Sequence, residues 1–392
     1  MGRNIATTNT GSVGHATSQD VFGTGNYQVF LQSGTFTTPT GITLLRVRCW
    51  GAGGGGAINA STATGGAGGG YSQKVITGPT TSYSVTIGAG GPGAINDATA
   101  PTAGGSSSFG SVISATGGGA GVRDATTANT GGVGSSGDYN FTGGRGGSVS
   151  TTSNSAGVAT GGGSAAGPWG NGFNGGDMLR TTLSGGQNLG TGGGGIGGHG
   201  GTIGSGTNNN AIATGGGGTG GHAQNVNSTG STMYAGQPGG PDAFGNRPLN
   251  IGVNVLNVSS TGVAATGSQT WNSESKLVTS AGEISRFIGD VLIGAGGSGV
   301  LSSSTTTFVS AGSGGGGGGG GANVGVGSDD GQRQGGSGGA FGGGGACVGR
   351  GSAMAAGAGG IAGGGGGMST GENASGKGNA GQGGNGLVVV EW

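Results

Sequence analysis

Long, glycine-dense tracts limit what this chain can fold into more than any other feature of its sequence. The late tracts are 314–321, 335–339, 342–345, 363–367 and 376–386. Glycine is unfavourable inside α-helices and strands, and an exposed tract of it is normally a flexible linker. Here the tracts lead directly into the apolar segment 387–392, which has the composition of a strand. We therefore expect the glycine to be ordered.

Ordered glycine can form polyproline II helices, which have about three residues per turn and direct every backbone N–H and C=O outwards. Side by side, such helices can hydrogen-bond to one another, and only glycine lets backbones approach so closely, as at the collagen axis. Further tracts supply the partners: 53–56, 65–70, 117–121, 161–163, 192–201 and 215–221. The sequence predicts a lattice of packed polyglycine II helices that carries the other segments.

The composition restricts the remaining possibilities. With 116 glycines in 392 residues and 30% hydrophobic residues, the chain cannot fill the apolar cores of two or three ordinary domains. Collagen is excluded, since glycine keeps no strict third-position register and there are 8 prolines. Low-complexity disorder stays an alternative, although a charged fraction of 7% argues against disorder by charge repulsion.

The charge pattern also bears on partners and location. The chain has no net charge and no basic run, so we expect no nucleic-acid partner. No apolar run approaches transmembrane length, and the N-terminal residues lack the apolar core of a signal peptide. We expect a product made in a cytoplasm and not inserted into a membrane. On redox grounds, Cys49 and Cys347 are predicted to be free buried thiols rather than a disulfide.

Alternating apolar and polar residues predict a small set of strands. They are expected at 27–31, 35–37, 42–50, 71–76, 83–87, 108–116 and 387–392. In the clearest strand, Leu45, Val47 and Cys49 share one face. A turn of hairpin length at 78–81 joins two of the strands. Together the strands predict one small β-sandwich, in which the last strand pairs within the sheet built by the first 120 residues or so.

The predicted fold is therefore mainly β with polyglycine II and almost no α-helix. The β base comprises 26–121 and 387–392, and the polyglycine lattice with its display loops comprises 122–386. Residues 250–310 differ in composition and are interpreted as a possible insertion into the lattice. Residues 1–25 are polar and are interpreted as an N-terminal docking arm that is ordered only against a partner.

This succession of strands and tracts resembles the glycine-rich domain of tailed-bacteriophage tail fibres. The related fibre-tip adhesins stack polyglycine helices and display variable loops to the host surface. The resemblance rests on residues 36–43, 46–56, 68–71, 84–91 and 383–392. It implies a bacteriophage tail fibre or receptor-binding protein, assembled in the host cytoplasm and located in the virion tail. The alternative is a purely structural virion component, such as a head fibre or decoration protein.

The same resemblance suggests the partners. The receptor would be a polysaccharide or an outer-membrane protein of the bacterial surface, and other tail or fibre proteins would bind the N-terminal arm. A homotrimer is the expected state of a fibre protein, and a monomeric tip is the expected state of an adhesin cap.

Aromatic residues beside turn formers are the candidate receptor-binding residues. They are Tyr139, Phe141, Trp169, Phe173, Tyr234 and Phe244. Rigid amphipathic rings provide contact area at a low entropy cost, which suits recognition of carbohydrate or protein loops. The alternative is that each ring plugs an edge of the lattice, where glycine provides no apolar cover.

No catalytic site, metal site or cofactor is predicted, and we expect no enzyme activity. His199 and His222 lie in separate tracts without an acidic or cysteine partner at ligand spacing, so each imidazole is expected at the lattice surface. The adjacent pair Asp329 and Asp330 is interpreted as a solvated turn rather than as a glycosidase pair. Residues 371–377 approach a phosphate-binding loop, but Gly378 stands where a hydroxyl must reach Mg²⁺.

Overall fold

The structure, a computed structural model, consists of short strands joined by glycine tracts, and its described part contains no α-helix. The residues described are 26–96, 99–123, 126, 129–150, 156–180, 187–204, 211–219, 221–227, 234–235, 296–302, 309–314, 317–325, 332–349, 353–370 and 378–392. The mainly β prediction is confirmed. The predicted arm 1–25 and most of the predicted insertion 250–310 lie outside the described residues.

The strands are short throughout. In the first part of the chain they are β1 (Tyr27–Phe30), β2 (Gly34–Thr37), β3 (Leu44–Trp50), β4 (Ile58–Asn59), β5 (Thr62–Ala63), β6 (Tyr71–Thr77), β7 (Ser82–Thr86), β8 (Ser107–Phe109), β9 (Ile113–Ala115), β10 (Gly134–Ser135) and β11 (Tyr139–Phe141). Thereafter they are β12 (Gly157–Ala159), β13 (Asn188–Gly190), β14 (Ala211–Ala213), β15 (Tyr234–Ala235), β16 (Val300–Ser302), β17 (Val309–Ser310), β18 (Asn323–Gly325), β19 (Arg333–Gln334), β20 (Cys347–Val348), β21 (Met354–Ala355), β22 (Met368–Ser369), β23 (Gly378–Asn379) and β24 (Leu387–Glu391).

Two antiparallel five-stranded sheets form a sandwich, which we call the base. The central sheet has the order β1-β24-β3-β6-β11, and the outer sheet has the order β10-β9-β8-β7-β2. Between them lies an apolar core built from both sheets: Phe30, Phe36, Leu45, Val47, Cys49, Tyr83, Val85, Phe109, Ile113, Ala115, Val388 and Val390. The last strand, β24, lies between β1 and β3, as the sequence predicted.

Two details of the base differ from the sequence prediction. Strands β6 and β7 are not a hairpin, because β7 pairs with β2 and β8 in the outer sheet while β6 pairs with β3 and β11. The connection crosses between sheets so that Tyr83 and Val85 face the sandwich core. The single strand expected at 108–116 is instead the hairpin of β8 and β9. Gly110 turns the chain there with a φ of +55°, which favours glycine.

The second face of the central sheet is covered by turns of the glycine region. Trp50, Tyr71, Leu387 and Val389 of the sheet pack against Ala165, Ala166, Ile196, Ala340, Phe341 and Ala362. Phe341 has a φ of +63°, a conformation that costs free energy in a bulky residue. Its ring lies 5.5 Å from that of Trp50, and we infer that this apolar packing holds the strained turn. The base and the glycine region therefore share an apolar core.

Beyond these turns the glycine tracts form the predicted polyglycine II lattice, as the backbone hydrogen bonds of one tract illustrate. The N–H groups of Gly53 and Gly56 donate to one neighbouring tract, at the carbonyls of Gly384 and Gly381. In the same tract, Gly54 donates to the carbonyl of Ala67 at 2.8 Å, and Gly55 donates to that of Thr102 at 3.0 Å. The bonding direction thus repeats every third residue, which is the period of the polyglycine II helix.

Buried threonines add a second set of bonds where tracts begin. The hydroxyl of Thr191 donates to the carbonyl of Gly176 at 2.6 Å and accepts the N–H of Gly161 at 3.1 Å. Thr160 and Thr214 make the corresponding pair of bonds to their own neighbours. Each hydroxyl replaces a glycine-to-glycine bond at the point where the tract meets a strand.

Three parallel sheets of very short strands close the other end of the lattice, which we call the far end. Their orders are β15-β14-β13-β12-β5, β16-β18-β20-β22-β4 and β17-β19-β21-β23. The first residue of β13 lies beside the last residue of β18, since Asn188 Nδ2 donates to the carbonyl of Gly325 at 2.9 Å. Strands that leave the lattice and strands that return to it therefore meet at the same end.

The close approach of the tracts predicts a severe effect of one added methyl group. A Cβ at Gly54 would lie 2.1 Å from the carbonyl oxygen of Gly119, so Gly54→Ala must push two backbones apart. We expect a loss of about 3 kcal/mol or more in the free energy of unfolding, measured by urea denaturation. Gly34→Ala is the matched control, because the nearest atom there is 3.8 Å away on the ring of Phe30. Equal stability of the two variants would contradict the lattice packing.

The threonine bonds predict a difference between two near-isosteric substitutions. Thr191→Val keeps the shape but leaves the N–H of Gly161 and the carbonyl of Gly176 without their hydroxyl partner. Burying such unpaired groups should cost about 1–3 kcal/mol of unfolding free energy. Thr191→Ser keeps the hydroxyl, so it should lose less stability although it removes a methyl group. The prediction fails if Thr191→Ser is the less stable variant in thermal and urea unfolding.

Candidate functional site

Four of the six predicted receptor-binding residues lie at described positions with assigned surroundings, and two of these join the aromatic packing between the base and the lattice turns. The rings of Phe141 and Tyr71 stack with centroids 6.2 Å apart, and that of Trp169 meets Phe341 edge-on at 5.3 Å. Phe141 therefore packs within the central sheet, and Trp169 packs against a turn that covers this sheet, although Trp169 is 36% exposed. Tyr139, on the edge strand β11, is 59% exposed and is the most accessible of the set.

Two of the other predicted residues lie elsewhere in the described part of the chain. Phe173 lies further along the lattice, against the rings of two histidines. Tyr234 begins the short strand β15 at the far end, and Phe244 lies outside the described residues. The structure therefore does not bring the five described aromatics together in one site, and the role of all six in receptor binding stays a prediction.

A polar surface on one flank of the lattice is the more concentrated feature. Four five-residue segments lie side by side there, each ending in a buried apolar residue. They are Arg145-Gly-Gly-Ser-Val149, Asn174-Gly-Gly-Asp-Met178, His199-Gly-Gly-Thr-Ile203 and His222-Ala-Gln-Asn-Val226. The fifth residues pair as parallel bridges, and this fixes the register of the first and fourth residues. We call each segment a rung.

The first residues of the rungs form a ladder of side-chain-to-backbone hydrogen bonds. The backbone N–H of Arg145 donates to Asn174 Oδ1 at 3.1 Å, and that of Asn174 donates to His199 Nδ1 at 3.0 Å. The N–H of His199 in turn donates to His222 Nδ1 at 2.9 Å. Each side chain therefore satisfies the backbone of the preceding rung, and its ring or amide is fixed in orientation.

The fourth residues continue the same pattern. The N–H of Thr202 donates to Asn225 Oδ1 at 2.9 Å, and that of Ser148 donates to Asp177 Oδ1 at 2.7 Å. Arg145 donates to both oxygens of Asp177 at 2.7 Å, and the Ser148 hydroxyl adds a further bond. Burial acts to raise the pKa of the Asp177 carboxyl, but the bonds from Arg145 and Ser148 bring it below its ordinary value. This carboxylate is therefore charged, and both of its oxygens already accept hydrogen bonds.

Between the rungs lies an open groove of about 570 Å³. The imidazoles of His199 and His222 stack there with centroids 4.9 Å apart and planes 10° from parallel, and Phe173 meets His199 edge-on at 5.0 Å. Burial, followed by the neighbouring His222, lowers the pKa of His199, so this ring is neutral at pH 7. The groove is lined mainly by polar side chains: Asn174, Asp177, His199, Thr202, His222, Gln224 and Asn225.

Sequence reasoning missed this groove because it treated the two histidines separately. They are 23 residues apart in the chain, yet adjacent tracts place their rings in contact. The signal was present in the sequence, since a polar residue is followed three residues later by a second one and then by an apolar residue in all four rungs. That spacing is the three-residue period of polyglycine II, which puts both polar residues on one face.

The described residues hold no cluster of three or more His, Cys, Asp or Glu side chains that could bind a metal ion. Asp329, Asp330 and residues 371–377 lie outside the described part. Cys49 and Cys347 are free and buried, as predicted, and burial raises the pKa of each thiol to about 12. Neither thiol can therefore supply a thiolate nucleophile near neutral pH. The described part contains no helix that is long and apolar enough to cross a membrane.

A family model described as a glycine-rich domain matches residues 30–241, which is more than half of the chain. The matched region includes most of the base, the four rungs and the groove. No curated protein matches the chain.

The ladder predicts a pH dependence of stability that can be assigned to His199. Because its folded pKa is lowered, the unfolded chain binds more protons in acid, so this contribution is complete above about pH 6.5 and is lost as the pH falls further. Asp177 does not interfere, since its lowered pKa matters only below about pH 4.

His199→Asn should flatten this dependence, because an Asn amide can still accept the N–H of Asn174, as Asn174 itself does for Arg145. The measurement is the urea unfolding midpoint of both proteins from about pH 8 to about pH 5. The assignment is wrong if both proteins lose the same amount of stability across this range.

Proposed function

The chain belongs to the glycine-rich domain family, and on that premise we propose that it is a bacteriophage tail fibre or receptor-binding protein. It would attach the virion to the bacterial host surface through segments displayed on the polyglycine scaffold. Its receptor would be a surface polysaccharide or an outer-membrane protein, and its N-terminal arm would dock onto other tail or fibre proteins. In this proposal it acts by binding and not by catalysis.

The observation that carries the proposal is the geometry of the far end. The parallel strands there lie in register, so the points at which connecting segments attach are neighbours in space. These connecting segments are 151–155, 181–186, 205–210, 228–233, 303–308, 326–331, 350–352 and 371–377. Several are rich in Ser, Thr and Asn, such as Thr-Thr-Ser-Asn-Ser at 151–155 and Ser-Gly-Thr-Asn-Asn-Asn at 205–210. Such side chains suit a hydrogen-bonding ligand.

The lattice would make this arrangement effective. The strand ends are held by a dense set of backbone hydrogen bonds and by tracts too close for side chains, so they are fixed relative to one another. A rigid support lowers the entropy lost on binding. Several copies on one virion would then convert weak individual contacts into strong attachment through effective concentration.

One observation favours the alternative of a purely structural virion component. Phe141, predicted as a receptor contact, stacks on Tyr71 within the central sheet, and Trp169 packs edge-on against Phe341 of a covering turn, so both rings take part in the apolar packing between the base and the lattice. If recognition depended on these two rings alone, the structural role would be preferred. The far-end segments do not depend on them, which is why attachment remains our proposal.

We expect the purified protein, labelled with a fluorophore, to bind the surface of its host bacteria and to compete with virions for adsorption. A variant with residues 205–210 replaced by alternating Gly and Ser should lose most of this binding while keeping its unfolding temperature. Tyr139→Ala is the comparison at an exposed site on the base, in a different sheet from those strand ends. Failure of the unaltered protein to bind or compete on any host that supports the virus would favour the structural role.

A further inference from the structure

We propose that the groove between the rungs binds an acidic polysaccharide, whose carboxylate oxygens accept hydrogen bonds from the outward N–H groups of the rung side chains. Those side chains are Asn174, His199, His222 and Asn225. The inference rests on the proposed function, because it names the chemistry of a surface that such a protein would meet.

The ladder determines which polar atoms face the groove. In Asn174 and Asn225 the amide oxygen already accepts a backbone N–H, so the remaining polar group is the NH₂. In His199 and His222 the Nδ1 atom is the acceptor, so a neutral ring must carry its proton on Nε2. Each of these four side chains therefore presents an N–H donor to the groove.

These donors are available for a ligand. Within the part of the chain that the structure describes, the outward N–H groups of these four side chains have no hydrogen-bond partner. All four side chains line the same open groove. Phe173 packs against both imidazoles and the ladder bonds fix their inner atoms, so little side-chain freedom would be lost on binding.

A row of N–H donors favours a ligand that offers hydrogen-bond acceptors. A neutral sugar presents hydroxyl groups, whose hydrogens also need acceptors, whereas a carboxylate presents acceptors alone. The one carboxylate of the groove, Asp177, already accepts bonds from Arg145 and Ser148 at both of its oxygens. Hydrogen bonds from N–H groups to a charged carboxylate are also stronger than those to a neutral oxygen. The groove therefore matches an acidic ligand better than a neutral one.

The spacing favours a polymer over a single small anion. The two imidazoles lie 4.9 Å apart and nearly parallel, so their Nε2 groups repeat along the groove at the separation of adjacent tracts. Asn174 extends the row by one rung beyond His199, in the register set by the parallel bridges, and Asn225 lies three residues further along the His222 rung. One sugar of an extended polysaccharide spans a similar distance, so successive uronate units can meet successive rungs.

The test is direct binding of the full-length protein to polygalacturonate, alginate and hyaluronate, with neutral dextran as the reference, by isothermal titration calorimetry. We expect saturable binding to at least one of the acidic polymers and none to dextran. Equal affinity for dextran, or no binding to any acidic polymer, would overturn the proposal.

The double variant Asn174→Asp, Asn225→Asp separates ligand binding from folding. Each Asp keeps an oxygen for the ladder, as Asp177 does for the N–H of Ser148, but replaces an outward donor with a charged acceptor. Binding of the acidic polymer should fall at least tenfold while the unfolding temperature stays close to that of the parent. Tyr139→Ala, outside the groove, should bind the polymer as the parent does. Unchanged binding by the double variant would show that the polymer binds elsewhere.

The same proteins distinguish failure of this inference from failure of the proposed function. A protein that binds host cells but no acidic polymer keeps the attachment role and loses the groove as an acidic-glycan site. A protein that binds the polymer through the groove but no host cell keeps the site and loses the attachment role.

Discussion

The structure depends on one constraint, which is that backbones approach each other closely enough to hydrogen-bond in three directions. A tract such as 53–56 reaches three different neighbours in three successive residues, and a Cβ at Gly54 would collide with a carbonyl of another tract. Elsewhere in proteins, apolar side chains supply most of the driving force for folding. In the described part of this chain, the apolar clusters lie in the base, the turns, the far-end strands and the ends of the rungs, and the tracts between them are held by hydrogen bonds of peptide groups.

Because of this division, the base and the lattice stabilise one another where they meet. The second face of the central sheet carries Trp50 and Tyr71, which would be an exposed apolar patch without the lattice turns that cover it. The turns in turn gain from the sheet, since Phe341 keeps a left-handed backbone conformation against the ring of Trp50. Strand β24 is apolar on both sides for the same reason, with Val388 in the sandwich core and Val389 under the turns.

The sequence predicted those parts of the fold that leave a local signal in the composition or in the alternation of residues. The polyglycine tracts, the alternating strand β3 and the place of β24 could be inferred because glycine density and period-2 alternation are local signals. The crossing between β6 and β7 could not, because a four-residue connection fits a hairpin as well as a change of sheet. The groove was harder to predict than the fold. Contact between His199 and His222 depends on which tracts are adjacent, and identical glycine runs carry almost no information about adjacency.

The rungs suggest how a glycine lattice can carry a specific surface at all. The inner atom of each ladder side chain accepts a backbone N–H from the preceding rung, and Asn174, Asp177 and His199 all place this acceptor at the δ position. The outer atom is under no such constraint. It is an amide NH₂ in Asn, a charged oxygen in Asp and a ring N–H in His, so exchange among these residues alters the chemistry of the groove while the ladder bond is kept. The scaffold and the chemistry of the groove are therefore separable at the level of single atoms, which an apolar core does not permit, because there the packed side chain is itself the scaffold.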